Sequence, residues 1–149
     1  MQQYNDQSKI TILGEKDIDN IKVIVFSRDN YIAKGILIKN ILGRYEVFAL
    51  ASGTNRLFRC SIDKINDTFF LILLGKNKDN LDKAIIHISA LDKDDKKVEF
   101  DKEVRIPRDN YFIIVEKMDN NLDYNNDFSD STIFYNIDGK DVTKSLLTN

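Results

Sequence analysis

The chain has 149 residues, a formal net charge of -2 and a hydrophobic fraction of 42%. That length fits one domain over residues 1–149 with a sizeable core, and the hydrophobic fraction excludes global disorder. Acidic and basic residues are mixed along the chain without a basic arm or stripe, which disfavours nucleic-acid binding.

Short β-branched and aromatic runs, separated by turn residues, dominate the chain and predict about ten strands. In chain order these are Lys9–Leu13, Ile21–Ser27, Tyr31–Ile38, Arg44–Ala51, Arg56–Ile62, Thr68–Leu74, Lys83–Leu91, Lys97–Ile106, Tyr111–Glu116 and Ser131–Ile137. With one proline and no long helical pattern, the leading fold class is a single all-β antiparallel sandwich of about 8–10 strands, with a barrel as the alternative.

The segments between these strands have the composition of tight turns. Leu42-Gly43 and Ser52–Asn55 offer residues that tolerate a positive φ, and Asp92–Lys97 is a charged turn between two strands. The tetrapeptide Arg-Asp-Asn-Tyr occurs at residues 28–31 and again at 108–111, which we interpret as one turn chemistry used twice. Residues 139–149 are predicted to form a surface tail.

Cysteine and histidine are too scarce for most metal and nucleophilic chemistry. Cys60 is the only cysteine and His87 the only histidine, so an internal disulfide is excluded and a Cys/His zinc site is nearly so. His87 lies among apolar neighbours and is interpreted as a satisfied histidine on a strand. With no catalytic triad and no phosphate-cradling loop, an enzyme is the least favoured class.

No segment of the sequence has the length and apolarity of a signal peptide or a membrane span. The N-terminus lacks an apolar run, and the longest apolar run, Phe69–Leu74, is six residues. The chain as given is therefore expected to be soluble, with the cytoplasm favoured and no membrane partner.

The segment from Glu116 to Asp130 is the strongest indication of a ligand. It holds five carboxylates and four asparagines between two predicted strands. Ca²⁺ takes six to eight oxygen ligands, and neighbouring carboxylates repel one another unless a cation lies between them. The sequence therefore predicts a calcium site, against the alternative of a solvated acidic loop, with these candidate ligands: Glu116, Asp119, Asp123, Asn125, Asp127 and Asp130.

The order of segments here resembles that in a known family. An apolar strand, 110–116, ends in Glu116, an Asn/Asp loop follows at 125–130, and a β-branched strand comes next at 131–137. This succession is similar to the last strands of small calcium-dependent bacterial lectins that bind fucose and mannose, and to related calcium-binding β-sandwich domains.

The resemblance implies that Glu116, Asp127 and Asp130 are metal ligands, with Asn125 in the place of an acidic ligand. In those lectins two adjacent calcium ions lie in the loop, and sugar hydroxyls complete their coordination. Carried over, it implies a carbohydrate-binding site that includes Asn126 and Ser129. A single structural calcium remains the alternative.

Two further binding functions are compatible with the sequence. The first is a β-sandwich that binds another protein without a metal, through aromatic side chains such as Tyr45, Phe58, Phe69 or Tyr135. Self-association into a homo-oligomer also stays open. The second is an RNA-binding OB fold, because residues 34–50 and 56–62 resemble the first strands of translation-initiation-factor OB folds. That resemblance implies nucleic-acid contacts by Arg44, Arg56, Phe58 and Arg59.

Overall fold

The computed structural model describes residues 9–28, 31–54, 56–125 and 127–147, with only the backbone of residues 52–54. These residues form eleven strands and one short helix: β1 (Ile10–Ile18), β2 (Ile21–Arg28), β3 (Tyr31–Lys39), β4 (Tyr45–Thr54), β5 (Phe58–Ile65), β6 (Thr68–Lys76), β7 (Leu81–Leu91), β8 (Lys97–Arg105), β9 (Tyr111–Lys117), β10 (Asp123–Tyr124), β11 (Thr132–Asn136) and α1 (Thr143–Leu146). A single 3-10 turn covers Ser129–Ser131.

The strands form three antiparallel sheets. The first sheet has the order β1-β2-β3-β4, and the middle sheet has the order β5-β6-β9. In the third sheet β7 pairs with β8 on one side and with both β10 and β11 on the other. Every pairing is antiparallel, and tight turns join most neighbouring strands, as in the hairpin at Asn66 and Asp67, where both residues have positive φ.

The middle sheet is buried on both faces, so the protein has two cores. On β6, Leu71 and Leu73 belong to a core shared with the third sheet. The alternate residues Ile72 and Leu74 belong to a second core, shared with the first sheet. Because side chains alternate across a strand, this division places the middle sheet between the other two.

The predicted all-β fold class is confirmed. Each of the ten predicted strands is present, and β10 is an eleventh strand inside the predicted acidic loop. Among the described residues no sheet closes on itself, so the chain forms the sandwich-like arrangement and not the barrel. Of the predicted turns, Gly43 has a φ of +76°, whereas Ser52–Thr54 continue β4, and residues 29, 30 and 55 lie outside the described residues.

The surface tail predicted over residues 139–149 needs correction. Within it Thr143–Leu146 form α1, and Leu146 is fully buried in the core beneath the third sheet. The backbone N–H of Leu57 donates to the Leu146 carbonyl at 2.9 Å, and Val142 donates to Phe134 at the same distance. Burial of one leucine and satisfaction of its carbonyl hold this segment on the body of the protein. No helix in the described ranges is long and apolar enough to cross a membrane.

Candidate functional site

The predicted calcium loop is anchored to the middle sheet by backbone hydrogen bonds. The N–H of Phe128 donates to the Cys60 carbonyl at 3.0 Å, and Asp127 forms an isolated antiparallel bridge with Ser61. The Phe128 ring is buried in the core shared with the third sheet. Backbone hydrogen bonds and the buried Phe128 ring therefore hold this part of the loop against the middle sheet.

Ser129, predicted to contact carbohydrate, has a structural role. It is buried, and its hydroxyl accepts from the Cys60 N–H at 3.0 Å and donates to the Cys60 carbonyl at 3.4 Å. Burial raises the pKa of the Cys60 thiol to about 12, so this cysteine is held as an inert thiol. The Ser129 hydroxyl thus completes the hydrogen bonding of a buried backbone segment.

The two carboxylates at the ends of the loop form separate ion pairs. A Glu116 oxygen lies 2.8 Å from Lys102 Nζ, across from β9 to β8. Asp130 lies 2.6 Å from an Arg56 nitrogen, and its side chain is mostly exposed. Each carboxylate therefore already has a cationic partner, and the two partners lie on different strands or loops.

Two other carboxylates serve the loop's own backbone. Asp119 Oδ1 accepts from the Asn121 N–H at 2.9 Å, and Asp127 Oδ1 accepts from the Ser129 N–H at 2.9 Å. In both cases an Asp binds the N–H two residues ahead, which is the Asx turn. The abundance of Asp and Asn in this segment thus has a conformational explanation.

The predicted ligands do not assemble into a metal centre in this arrangement. Asp123 and Asn125 are exposed, and Asn126 lies outside the described residues. Across the residues that the structure describes, no group of three or more His, Cys, Asp or Glu side chains could hold a metal ion. As arranged here, the donor set does not fit calcium, and the predicted metal site stays a prediction for a solution test.

A second candidate site lies on the first sheet, on the side facing away from the middle sheet. We call this side the outer face. The strand registers place six large apolar residues on it: Ile12 beside Phe26, Ile24 near Leu50, and Leu37 beside Val47. Ile12, Val47 and Leu50 are each 64% exposed. On β2 the residues that alternate with Ile24 and Phe26, such as Val23 and Val25, lie on the other side of the sheet and are fully buried in the core.

Gly35 shows how closely the apolar side chains meet on the outer face. A Cβ built on Gly35 would lie 2.6 Å from Ile24 Cγ1 and 3.3 Å from Leu50 Cδ2. The side chains of neighbouring strands therefore close over the glycine. This contact joins β2, β3 and β4 into one continuous apolar surface.

One end of the outer face carries a charged rim. Lys22 Nζ lies 3.0 Å from Glu15 and 3.3 Å from Asp17, and the Tyr45 hydroxyl donates to Asp17 at 3.0 Å. Lys22 and Lys39 both lie over the Tyr45 ring, at 5.4 and 5.9 Å from its centroid. The hydrogen bond from Tyr45 is the main cause that lowers the pKa of Asp17, so this carboxyl stays charged. Two lysines therefore balance two carboxylates at this rim.

The third sheet has an exposed face of the opposite character. There Lys83 pairs with Glu103 at 2.8 Å, and His87 Nδ1 lies 2.8 Å from Asp101. Leu91 and Ile133 are its exposed large apolar residues, at 42% and 40%. This face is the charged, water-facing side that antiparallel sheets normally present. The outer face of the first sheet differs from it in the same molecule.

Of the four aromatic residues predicted to form an interface, the structure places only Tyr45 on the outer face. Phe58 is fully buried, so it is also unable to stack on a nucleic-acid base, and Phe69 packs against the core. Tyr135 is half-buried on the third sheet. The aliphatic residues of the outer face were not predicted as an interface from the sequence. The available sequence signal is that Ile21–Phe26 has apolar residues on both faces of its strand.

Comparison with protein-family models, with curated proteins and with solved structures finds no match to this chain. The functional inference therefore depends on the geometry of the described residues.

Proposed function

We propose that this protein is an interaction module that binds another protein subunit through the outer face of its first sheet. The contrast between the two exposed sheet faces is the observation that carries the proposal. The third sheet shows that the chain can build a charged water-facing surface. The first sheet instead exposes Ile12 on one edge strand and Val47 and Leu50 on the other. The half-buried apolar side chains of Ile24, Phe26 and Leu37 lie on the strands between them. Contiguous apolar patches of this kind mark interaction sites.

The size of the face fits a weak complex. Four strands about 4.8 Å apart, each about six residues long at roughly 3.3 Å per residue, span about 400 Å², with the charged rim included. Burying that area and an equal area of a partner removes about 800 Å² from water, which is below the roughly 1,200 Å² of standard interfaces and is typical of weak or transient complexes. We therefore expect micromolar affinity or weaker.

The calcium-dependent carbohydrate-binding function remains a separate prediction with less support. Its candidate carboxylates are engaged by Lys102, Arg56 and the loop backbone. The outer face needs no such rearrangement to bind a partner, because its side chains already face outward.

The test compares two double variants of the full chain. Val47→Lys with Leu50→Lys places charges on the outer face, and Leu91→Lys with Ile133→Lys places them on the third sheet at half-exposed apolar sites. Wild-type and variant proteins are examined for self-association and for capture of cellular proteins, and each captured protein is then purified and tested by calorimetry.

We expect complex formation with the wild type and the third-sheet variant, and its loss with the outer-face variant. Circular dichroism and Tm check that each variant is folded. Absence of any complex, or a complex that the outer-face variant forms equally well, would overturn the proposal.

A further inference from the structure

We infer that the partner on the outer face is a second copy of this chain, packed face to face across a two-fold axis. This inference rests on the proposed interaction function and specifies its partner. A partner for the outer face needs a surface that is apolar, formed by a sheet and similar in size to the outer face. A second copy of the outer face meets these three conditions. In a two-fold dimer the same patch serves both subunits.

The packing geometry inside the protein supports sheet-on-sheet docking. The inner side of the first sheet already packs on the middle sheet through alternating apolar residues such as Val23, Val25 and Ile36. The outer face presents Ile24, Phe26 and Leu37 between those positions. Two twisted sheets pack with their strands about 30° apart, so two copies of the outer face can repeat the kind of layer that the chain makes internally.

The charged rim is compatible with a symmetric partner. In a face-to-face dimer the rim of one copy can lie against the rim of the other, so an unbalanced charged rim would repel its copy. Here Lys22 and Lys39 balance Glu15 and Asp17, with Lys22 bonded to both carboxylates. The rim thus offers no excess charge that would select a partner of opposite sign.

The edge of the sheet is less suited to docking than its face. β4 pairs with β3 alone among the described strands, but its register shifts twice, between the pairs at Ile32 and Lys34 and between those at Ile36 and Leu37. Bulges of this kind bend an edge strand and disfavour its pairing with another strand. The apolar side chains lie on the face, so we place the second copy there.

The area sets the expected strength of the dimer. A standard interface buries about 800 Å² on each subunit. The outer face spans about 400 Å² by its strand spacing, with the charged rim inside that area. A dimer through this face is therefore smaller than a standard one, and we expect a weak dimer with a dissociation constant in the micromolar range.

The experiment is sedimentation equilibrium of the full chain from low to high micromolar concentration. A dimer is expected, with little change on raising the salt concentration because the rim is neutral. Val47→Lys with Leu50→Lys should raise the dissociation constant by at least about 30-fold, since like charges would be buried across the axis. Leu91→Lys with Ile133→Lys should leave it unchanged.

Isotope-filtered NMR on a mixture of labelled and unlabelled protein locates the contact. Methyl contacts between subunits at Ile12, Leu37 and Leu50 support the inference, whereas contacts between β4 backbones would overturn it in favour of edge pairing. A chain that stays monomeric at high micromolar concentration also overturns it. If such a monomer binds a different purified protein and the outer-face variant does not, the proposed function stands and only the second copy is wrong.

Discussion

A buried lysine between the first and middle sheets gives the sharpest test of the structure. Lys34 on β3 is 3% exposed, and its ammonium donates to Ser61 Oγ at 2.6 Å and to Asp63 Oδ2 at 2.5 Å. The Ser61 hydroxyl also donates to Asp63 at 2.8 Å, which closes a three-member network. Burial is the main cause that lowers the pKa of Lys34, and the Asp63 carboxylate opposes it.

These two opposing causes predict different changes in stability for a single substitution at Lys34 and for a double substitution that replaces Lys34 and Asp63 together. Lys34→Ala removes the cation, leaves the partly buried Asp63 without it and opens a cavity, so it should cost about 3–5 kcal/mol of unfolding free energy. Replacing the pair together, as Lys34→Met with Asp63→Leu, removes both desolvated charges. That change should be neutral or stabilising by about 1–4 kcal/mol, because the free-energy cost of removing two charges from water offsets most of the attraction between them.

Urea unfolding at neutral pH measures each free energy, and the single variants Lys34→Met and Asp63→Leu complete a double-mutant cycle. A loss below about 1 kcal/mol for Lys34→Ala would refute the reasoning, since breaking a buried pair is expected to cost several times that. The sign of the pH dependence is a second check. Because the pKa of Lys34 is lowered on folding, the unfolded chain binds more protons between the folded pKa and 10.5, and this group's contribution to stability should rise with pH there.

The remaining predictions concern the single histidine and the acidic loop. The hydrogen bond with Asp101 raises the pKa of His87 above 6.5, so the NMR titration of its ring should have a midpoint above that value, and Asp101→Asn should lower it. Its contribution to stability should be complete below pH 6.5 and lost as the pH rises through the folded pKa; an unshifted midpoint would contradict the ion pair. For the loop, millimolar calcium should leave Tm unchanged, because the carboxylates are held by separate partners. Free calcium at 100 times the Kd of a site would add about 2.7 kcal/mol to the free energy of unfolding. Each kcal/mol raises the Tm of a chain this size by roughly 2–4 °C. A rise in Tm of that order on adding calcium would contradict this expectation and support the predicted calcium site.

The strands were predictable because their signal is local. Ile21, Val23 and Val25 alternate along β2, and the alternation alone places them on one buried face. Turns such as Asn66 and Asp67 bound the strands with residues that tolerate positive φ. Strand boundaries moved by a few residues, as in β1, which extends to Ile18, because pairing with β2 continues beyond the apolar run.

The acidic loop shows why composition alone leaves the calcium prediction open. Asp and Asn are the ligands of calcium, but they are also the residues that form Asx turns. Asp119 and Asp127 form such turns here, and the sequence contains no signal that separates the two uses. Only the positions of Lys102 and Arg56, on distant segments, show where Glu116 and Asp130 are directed.

The sequence by itself determined that the chain is β-rich and antiparallel, because side-chain alternation and turn chemistry act over a few residues. The tertiary structure decided which apolar faces are covered. The middle sheet is buried on both faces, and Leu146 packs in one of the two cores. The outer face with Ile12, Val47 and Leu50 is exposed. Burial depends on which sheets stack, and stacking depends on contacts between residues far apart in the chain. The same apolar strand pattern therefore forms core in one sheet and an exposed apolar face in another.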